Sequence, residues 1–170
     1  MTACGSRPII PQSHKKKIKK RINLDNNATT PVADEVREAM LPYLDIIHGN
    51  PSSIHSVGRD AREAVEMARR QLAELIKARP RRIIFTGGGS EADNLALKGI
   101  AFAKRDKGNH IITTTIEHPA ILGACKFLEK LGYKITYLDV DENGWLAPDK
   151  LKKAITDDTI LVSIMMANNE

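Results

Sequence analysis

From Arg82 onward, short apolar runs alternate with helical stretches, and this alternation constrains the fold more than any other feature of the chain. Four runs read as strands, at residues 83–86, 110–114, 134–138 and 160–165, with helices predicted between them at 91–104, 120–131 and 148–155. A helix between successive strands brings the chain back to the same edge before the next strand begins, so the strands run parallel. The pattern therefore predicts βα units around a parallel sheet, an α/β fold. Asn143-Gly144 marks a turn between the third strand and the last helix.

Two helices are predicted ahead of this region. Thr30 followed by Pro31 suits a helix start, and Val32, Val36, Met40 and Leu44 recur every four residues to define a stripe expected to be buried. Pro42 is expected to kink the last turn of that helix, which ends near Leu44. The segment Gly49-Asn50-Pro51-Ser52-Ser53 breaks the chain before a second helix over 57–77, whose apolar positions include Ala61, Val65, Ala68 and Leu72.

The net charge of +5 does not by itself point to nucleic acid, because of where it resides. Residues 1–22 hold seven basic side chains and no acidic one; without them, 19 basic side chains face 21 acidic ones. The reading is a basic, disordered tail over 1–22 and one domain over 23–170, the tail being either a solvated leader or a handle for an anionic partner. The tail lacks the apolar centre of a secretory signal, and the longest apolar run, 160–167, is too short to cross a bilayer, so no membrane association is expected. Two cysteines, Cys4 and Cys125, make neither a disulfide framework nor a metal site. Cys125 falls in a predicted helix, where a small buried hydrophobe is the expected role.

Three segments carry possible chemistry. In Ile83-Ile84-Phe85-Thr86-Gly87-Gly88-Gly89-Ser90-Glu91, a strand ends in three glycines and a hydroxyl where a helix begins. Glycines let an anion approach the backbone, and the free amides and dipole of a helix start attract it. The same residues also suit a plain tight turn with Ser90 as the helix cap. Glu117-His118-Pro119 follows the second strand, at the edge where open α/β sheets bind ligands, so His118 can stack on a ring, move protons, or sit idle in a loop. Asn168-Asn169 follows the last strand and offers amides to a polar ligand, or simply a turn.

These segments occur together, with Leu24-Asp25-Asn26-Asn27-Ala28-Thr29-Thr30-Pro31 and Gly49-Asn50-Pro51-Ser52-Ser53-Ile54-His55 ahead of them. The combination, from about Ile22 to Glu170, resembles the cysteine desulfurase family of class-V aminotransferase-like enzymes. The resemblance implies the large domain of a type I pyridoxal-phosphate transferase: a three-layer αβα arrangement with a mostly parallel sheet, incomplete in this chain. It implies a homodimer that converts L-cysteine to L-alanine and passes sulfur, as an enzyme persulfide, toward iron–sulfur clusters or tRNA. A sulfur-accepting scaffold protein is an implied partner. The implied compartment is the cytoplasm, or the mitochondrion in a eukaryote. Selenocysteine lyase or another class-V aminotransferase-like enzyme is the close alternative, and a non-catalytic module binding through the basic tail is the distant one.

By position in the family's motifs, Gly89 and Ser90 match the phosphate-contacting pair of the pyridoxal 5'-phosphate site. His118 matches the histidine that stacks on the ring and takes part in proton transfer, and Asn169 matches the amide that bonds the ring hydroxyl. Ser90 stands where threonine is more frequent in the family, and Gly87 where serine is. The family's later motifs hold the aspartate under the ring nitrogen, the cofactor-binding lysine, the sulfur-accepting cysteine and the carboxylate-binding arginine. None can be placed here, so the chain reads as the front part of a longer enzyme, inactive as given. In the family fold, the strand matching 83–86 pairs with strands contributed later in the chain, and the other three form a neighbouring group. The chain expressed alone is therefore expected to be poorly stable or aggregation-prone; a cooperative melting transition from soluble monomer would contradict this.

Overall fold

The computed structural model describes residues 22–26 and 28–168. The basic tail, apart from Ile22, lies outside the described residues, as do Cys4, Asn169 and Glu170. The chain divides into two units, one reaching Val32 and one running from Ala33. In the first, local side-chain bonds stand in for regular structure: the amide of Asp25 donates to Asn23 Oδ1 at 3.0 Å, and that of Ala28 to Asp25 Oδ1 at 3.3 Å.

The second unit carries five α-helices, a 3-10 turn and three strands. The sheet is parallel, with β1 (His110–Thr114) between β2 (Lys134–Leu138) and β3 (Thr159–Val162). The strands match the second, third and fourth expected from the sequence, and the expectation that these three group together is met. As the central strand, β1 is buried along its whole length, its polar His110, Thr113 and Thr114 included. Its Ile111 packs into a core with Leu97 and Ala101 of α3 (Gly89–Ala103) and with Ile121, Cys125 and Leu128 of α4 (Pro119–Lys130). Ile112, which points to the other face, is also fully buried. The helix α5 (Pro148–Ala154) links β2 to β3 across the sheet in the direction opposite to that of the β1–α4–β2 step. Right-handed crossovers then put α4 and α5 on opposite faces, giving three layers.

The first strand predicted, 83–86, belongs to no ladder. Its backbone is held by a side chain instead: Arg69, on α2 (Ser56–Leu75), donates to Ile83 O and places its guanidinium 4.9 Å from the Phe85 ring centroid. A strand needs a neighbour at its edge, and among the described residues none lies beside this one. Ile84 is correspondingly 69% exposed.

α1 (Asp34–Asp45) begins three residues later than Pro31 suggests, with Ala33 rather than Thr30 at the cap position, and Pro42 lies inside it. Its stripe is not buried: Val36, Met40 and Leu44 are all exposed, Leu44 at 74%. The four-residue period is real, but nothing in the described chain covers that face. The apolar surface behind the expected poor stability of the isolated chain is thus on display.

The turn before α2 shows what a glycine required by packing looks like. A Cβ on Gly58 would lie 2.6 Å from Ser53 O and 2.7 Å from Asn50 O, and one on Gly49 would lie 2.0 Å from Val57 O. His55 caps α2, its Nδ1 accepting from the Gly58 amide at 3.3 Å.

Cys125 is 0% exposed, in keeping with its reading as a core residue. Burial, and then the negative charges of Glu129 and Glu117, push its thiol up from 9.0 to about 11. The folded state holds this proton more tightly than the unfolded chain. The associated stability is therefore complete below about pH 9 and disappears as the pH climbs toward 11. A thiol held at about 11 instead of 9.0 leaves about 100-fold less thiolate, so iodoacetamide at pH 8 should modify Cys125 at least about 100-fold more slowly in folded protein than in urea, as read by peptide mass spectrometry. Among the described residues, no helix is long and apolar enough to cross a membrane and no His, Cys, Asp and Glu group is suited to a metal.

Candidate cofactor site

α3 and α4 run parallel, side by side. Their C-terminal ends are tied where Tyr133 Oη donates to Ala101 O at 2.8 Å and Arg105 Nη2 donates to Leu131 O at 3.5 Å. Midway, Lys98 Nζ sits 4.5 Å from the Phe127 ring centroid. Each of these helices lies next to β1 in sequence and leads the chain back across the sheet, so both N-termini emerge at the carboxyl edge of the strands. Two of the expected site segments, 87–90 and 117–119, are brought to one edge in this way.

At the first N-terminus the cap residue is Gly88, not Ser90, and no side chain bonds the cap position. Ser90 lies one position inside the helix, its carbonyl accepting from Asn94 Nδ2 at 2.8 Å. The expected capping role of Ser90 is thereby corrected: the helix starts at Gly89, two residues earlier than that role needs. Glu91 reaches back so that its Oε2 accepts from the Gly87 amide at 2.6 Å, closing the turn in the manner of a capping box. The Gly87 amide is therefore committed to a side chain. The amides of Gly89 and Ser90 stand in the first helical turn, where no intrahelical carbonyl is available to them.

Glycine at 88 and 89 is not a demand of the chain's own packing. A Cβ at either residue would meet no atom within 4 Å, and neither residue has a positive φ of the kind that favours glycine. The contrast with Gly49 and Gly58 is direct. What the two bare positions leave is room for something to approach the backbone closely.

At the second N-terminus His118 is the cap of α4, and Pro119 fills the first helical position, where its missing N–H costs nothing. His118 Nδ1 accepts from the Ala120 amide at 3.1 Å. The neutral ring must then carry its proton on Nε2, the other nitrogen. The side chain is exposed, so its ring is available from solvent.

The third segment follows β3. The last backbone bond from this segment to β1 runs from the Ser163 amide to Ile112 O at 2.9 Å, and β3 ends at Val162 rather than at 165. Asn168 Nδ2 donates to Ile116 O at 3.0 Å, tying this segment to the loop that holds His118. Asn169, the amide singled out in the sequence, lies outside the described residues. A cavity of about 640 Å³ at this edge is lined by Ile116, Trp145, Met166 and Asn168 among others, but not by Gly89, Ser90 or His118, which sit on open surface.

Sequence reasoning gave no task to Glu117, which the structure buries at 6% exposure beside His118. An acidic residue after an apolar strand reads as an exposed loop residue, and no local signal marks this one as buried.

The aminotransferase class-V family matches residues 22–170. The chain is 55% identical to a cysteine desulfurase IscS of Methanosarcina thermophila over 151 residues, which cover 89% of this chain and 37% of that protein. Among solved structures, a NifS-like protein superimposes with a TM-score of 0.81 at 42% identity, covering 86% of this chain and 40% of the other. A structure described as SspA in complex with cysteine superimposes with a TM-score of 0.80 at 40% identity, covering 86% and 42%. The chain thus spans about two-fifths of the length of these relatives. The match covers both helix N-termini at the carboxyl edge of the sheet, and the fold agrees across it: this chain belongs to the class-V aminotransferase family.

Proposed function

We propose that this chain forms the phosphate-binding and ring-covering part of a pyridoxal 5'-phosphate site in a cysteine desulfurase, which removes sulfur from L-cysteine and leaves L-alanine. The observation that carries the reading is the bare backbone at Gly88 and Gly89, where neither conformation nor packing asks for glycine. The residues present fit the cofactor. Its phosphate suits the donors gathered there, the Gly89 and Ser90 amides and the Ser90 hydroxyl, at the positive end of a 15-residue helix.

Bound there, the cofactor supplies an electron sink for bonds around the substrate's α-carbon. The chain's own residues supply the setting. The amides of Gly89 and Ser90 hold the phosphate, the Ser90 hydroxyl adds a donor, and the His118 ring covers one face of the cofactor. Because Nδ1 is engaged by the Ala120 amide, Nε2 is the His118 atom that holds and releases a proton. Asn169 offers its amide to the ring hydroxyl. Cys125 does not receive the sulfur, since a fully buried thiol pushed up to about 11 is neither reachable nor ionised.

The test uses the complete protein that carries this chain, supplied with pyridoxal 5'-phosphate, L-cysteine and a thiol reductant. Alanine and sulfide should appear in equal amounts and depend on the cofactor. Failure to bind the cofactor, or binding without alanine formation, would overturn the reading.

A further inference from the structure

Beyond the end of the β1–β3 ladder, side chains rather than backbone bonds hold the segment after β3 against the loop after β1, Glu117 foremost among them. Glu117 Oε1 accepts from the Met165 amide at 2.8 Å and from Thr114 Oγ1 at 3.0 Å. Thr114 is itself 1% exposed, so this bond pair is shielded from water. Asn168 adds a weaker second tie through Ile116 O. Glu117 thus lies at the junction of two loops: the next residue along its own is His118, and the loop it grips carries Asn168.

We propose that Glu117 is a positioning residue, whose buried carboxyl oxygen sets the placement of His118 relative to the 165–168 segment and so holds the ring of the cofactor in one orientation. The proposal rests on the pyridoxal-phosphate reading of the site. Two loops that approach a ligand from neighbouring strand ends keep their spacing only if something rigid joins them. A shared acceptor for a main-chain amide and a buried hydroxyl is such a joint. Displacement of a contacting group by an ångström is enough to cost a site much of its binding and rate.

The test compares Glu117→Gln and Glu117→Leu in the complete protein. Glutamine keeps a carbonyl acceptor at Oε1, whereas leucine keeps bulk and removes the joint. The readouts are the dissociation constant for pyridoxal 5'-phosphate and the visible circular dichroism of the bound cofactor, which reports a fixed ring orientation, both taken well below each variant's melting temperature. Glu117→Leu should weaken binding by about 10-fold and lose more than half of the visible signal, and Glu117→Gln should retain both to within about twofold. Should Glu117→Leu not fold, Thr114→Val removes one of the two donors with little change of shape and should lose part of the same signal. Retention of affinity and dichroism by the leucine variant, or by Thr114→Val in its place, would overturn the proposal and leave Glu117 a structural residue. So would failure of glutamine to rescue. If the unmodified protein binds no cofactor, the reading of the site fails first, and that result is distinct from either.

Discussion

Replacing Gly89 with aspartate is expected to weaken pyridoxal 5'-phosphate binding by about 100-fold, or about 3 kcal/mol, while leaving the melting temperature of the cofactor-free protein essentially unchanged. The two halves of this expectation have separate causes. The new side chain enters space where a Cβ meets no protein atom, and an acid in a helix's first turn favours the helix dipole, so the fold has no reason to suffer. A phosphate brought to the same amides meets a second negative charge a few ångströms away, worth a few kcal/mol when partly shielded from water. Gly89→Ala is the control. It should stabilise the helix start by a few tenths of a kcal/mol to about 1 kcal/mol and disturb binding much less. Titration of the cofactor alongside thermal melting separates the outcomes, and equal affinity in the aspartate variant would remove the cradle from consideration.

The second large effect is expected at His118 in the complete protein, where the observed cap of α4 and the proposed ring-covering role share one side chain. His118→Ala removes both the cap of α4 and the ring, whereas His118→Asn keeps an oxygen that can accept from the Ala120 amide. Both variants should lower kcat/KM for L-cysteine by about 100-fold or more, the usual scale for losing a proton-transferring group. Only alanine should also cost about 1 kcal/mol of stability, read from denaturant unfolding. An asparagine variant that keeps its activity to within a few-fold would show that His118 matters as a cap alone.

Two of the strands were legible to the residue. The runs at 110–114 and 134–138 are the strands His110–Thr114 and Lys134–Leu138, because short runs rich in β-branched and aromatic residues, bounded by turn residues, favour extended backbone. Helices α3, α4 and α5 were legible to within about two residues at either end, through periodicity and through the prolines that open α4 and α5. The glycine run and His118 were recognisable as site candidates because their chemistry is local: a helix start attracts an anion wherever it occurs.

Other features depended on partners far along the chain. The run at 83–86 looks as strand-like as the one at 110–114, yet it sits in no ladder among the described residues, an outcome expected from the family resemblance and not from the local pattern, since pairing is decided by what lies alongside. The four-residue stripe of α1 predicts a covered face and is found exposed, because periodicity states which side is apolar and not whether anything packs on it. The last strand ends at Val162 because Glu117 takes the Met165 amide, a bond across 48 positions of sequence.

By itself, then, the order of residues determined the α/β class, the strands at 110–114 and 134–138, the helices around them and the glycine run at a helix start. All of these follow from periods and dipoles contained within a few turns of backbone. Only the tertiary structure decided which strand finds a partner, which glycine caps α3, and that Glu117 is buried between two loops. Those outcomes are set by surfaces and hydrogen-bond donors that meet only when distant segments are brought together.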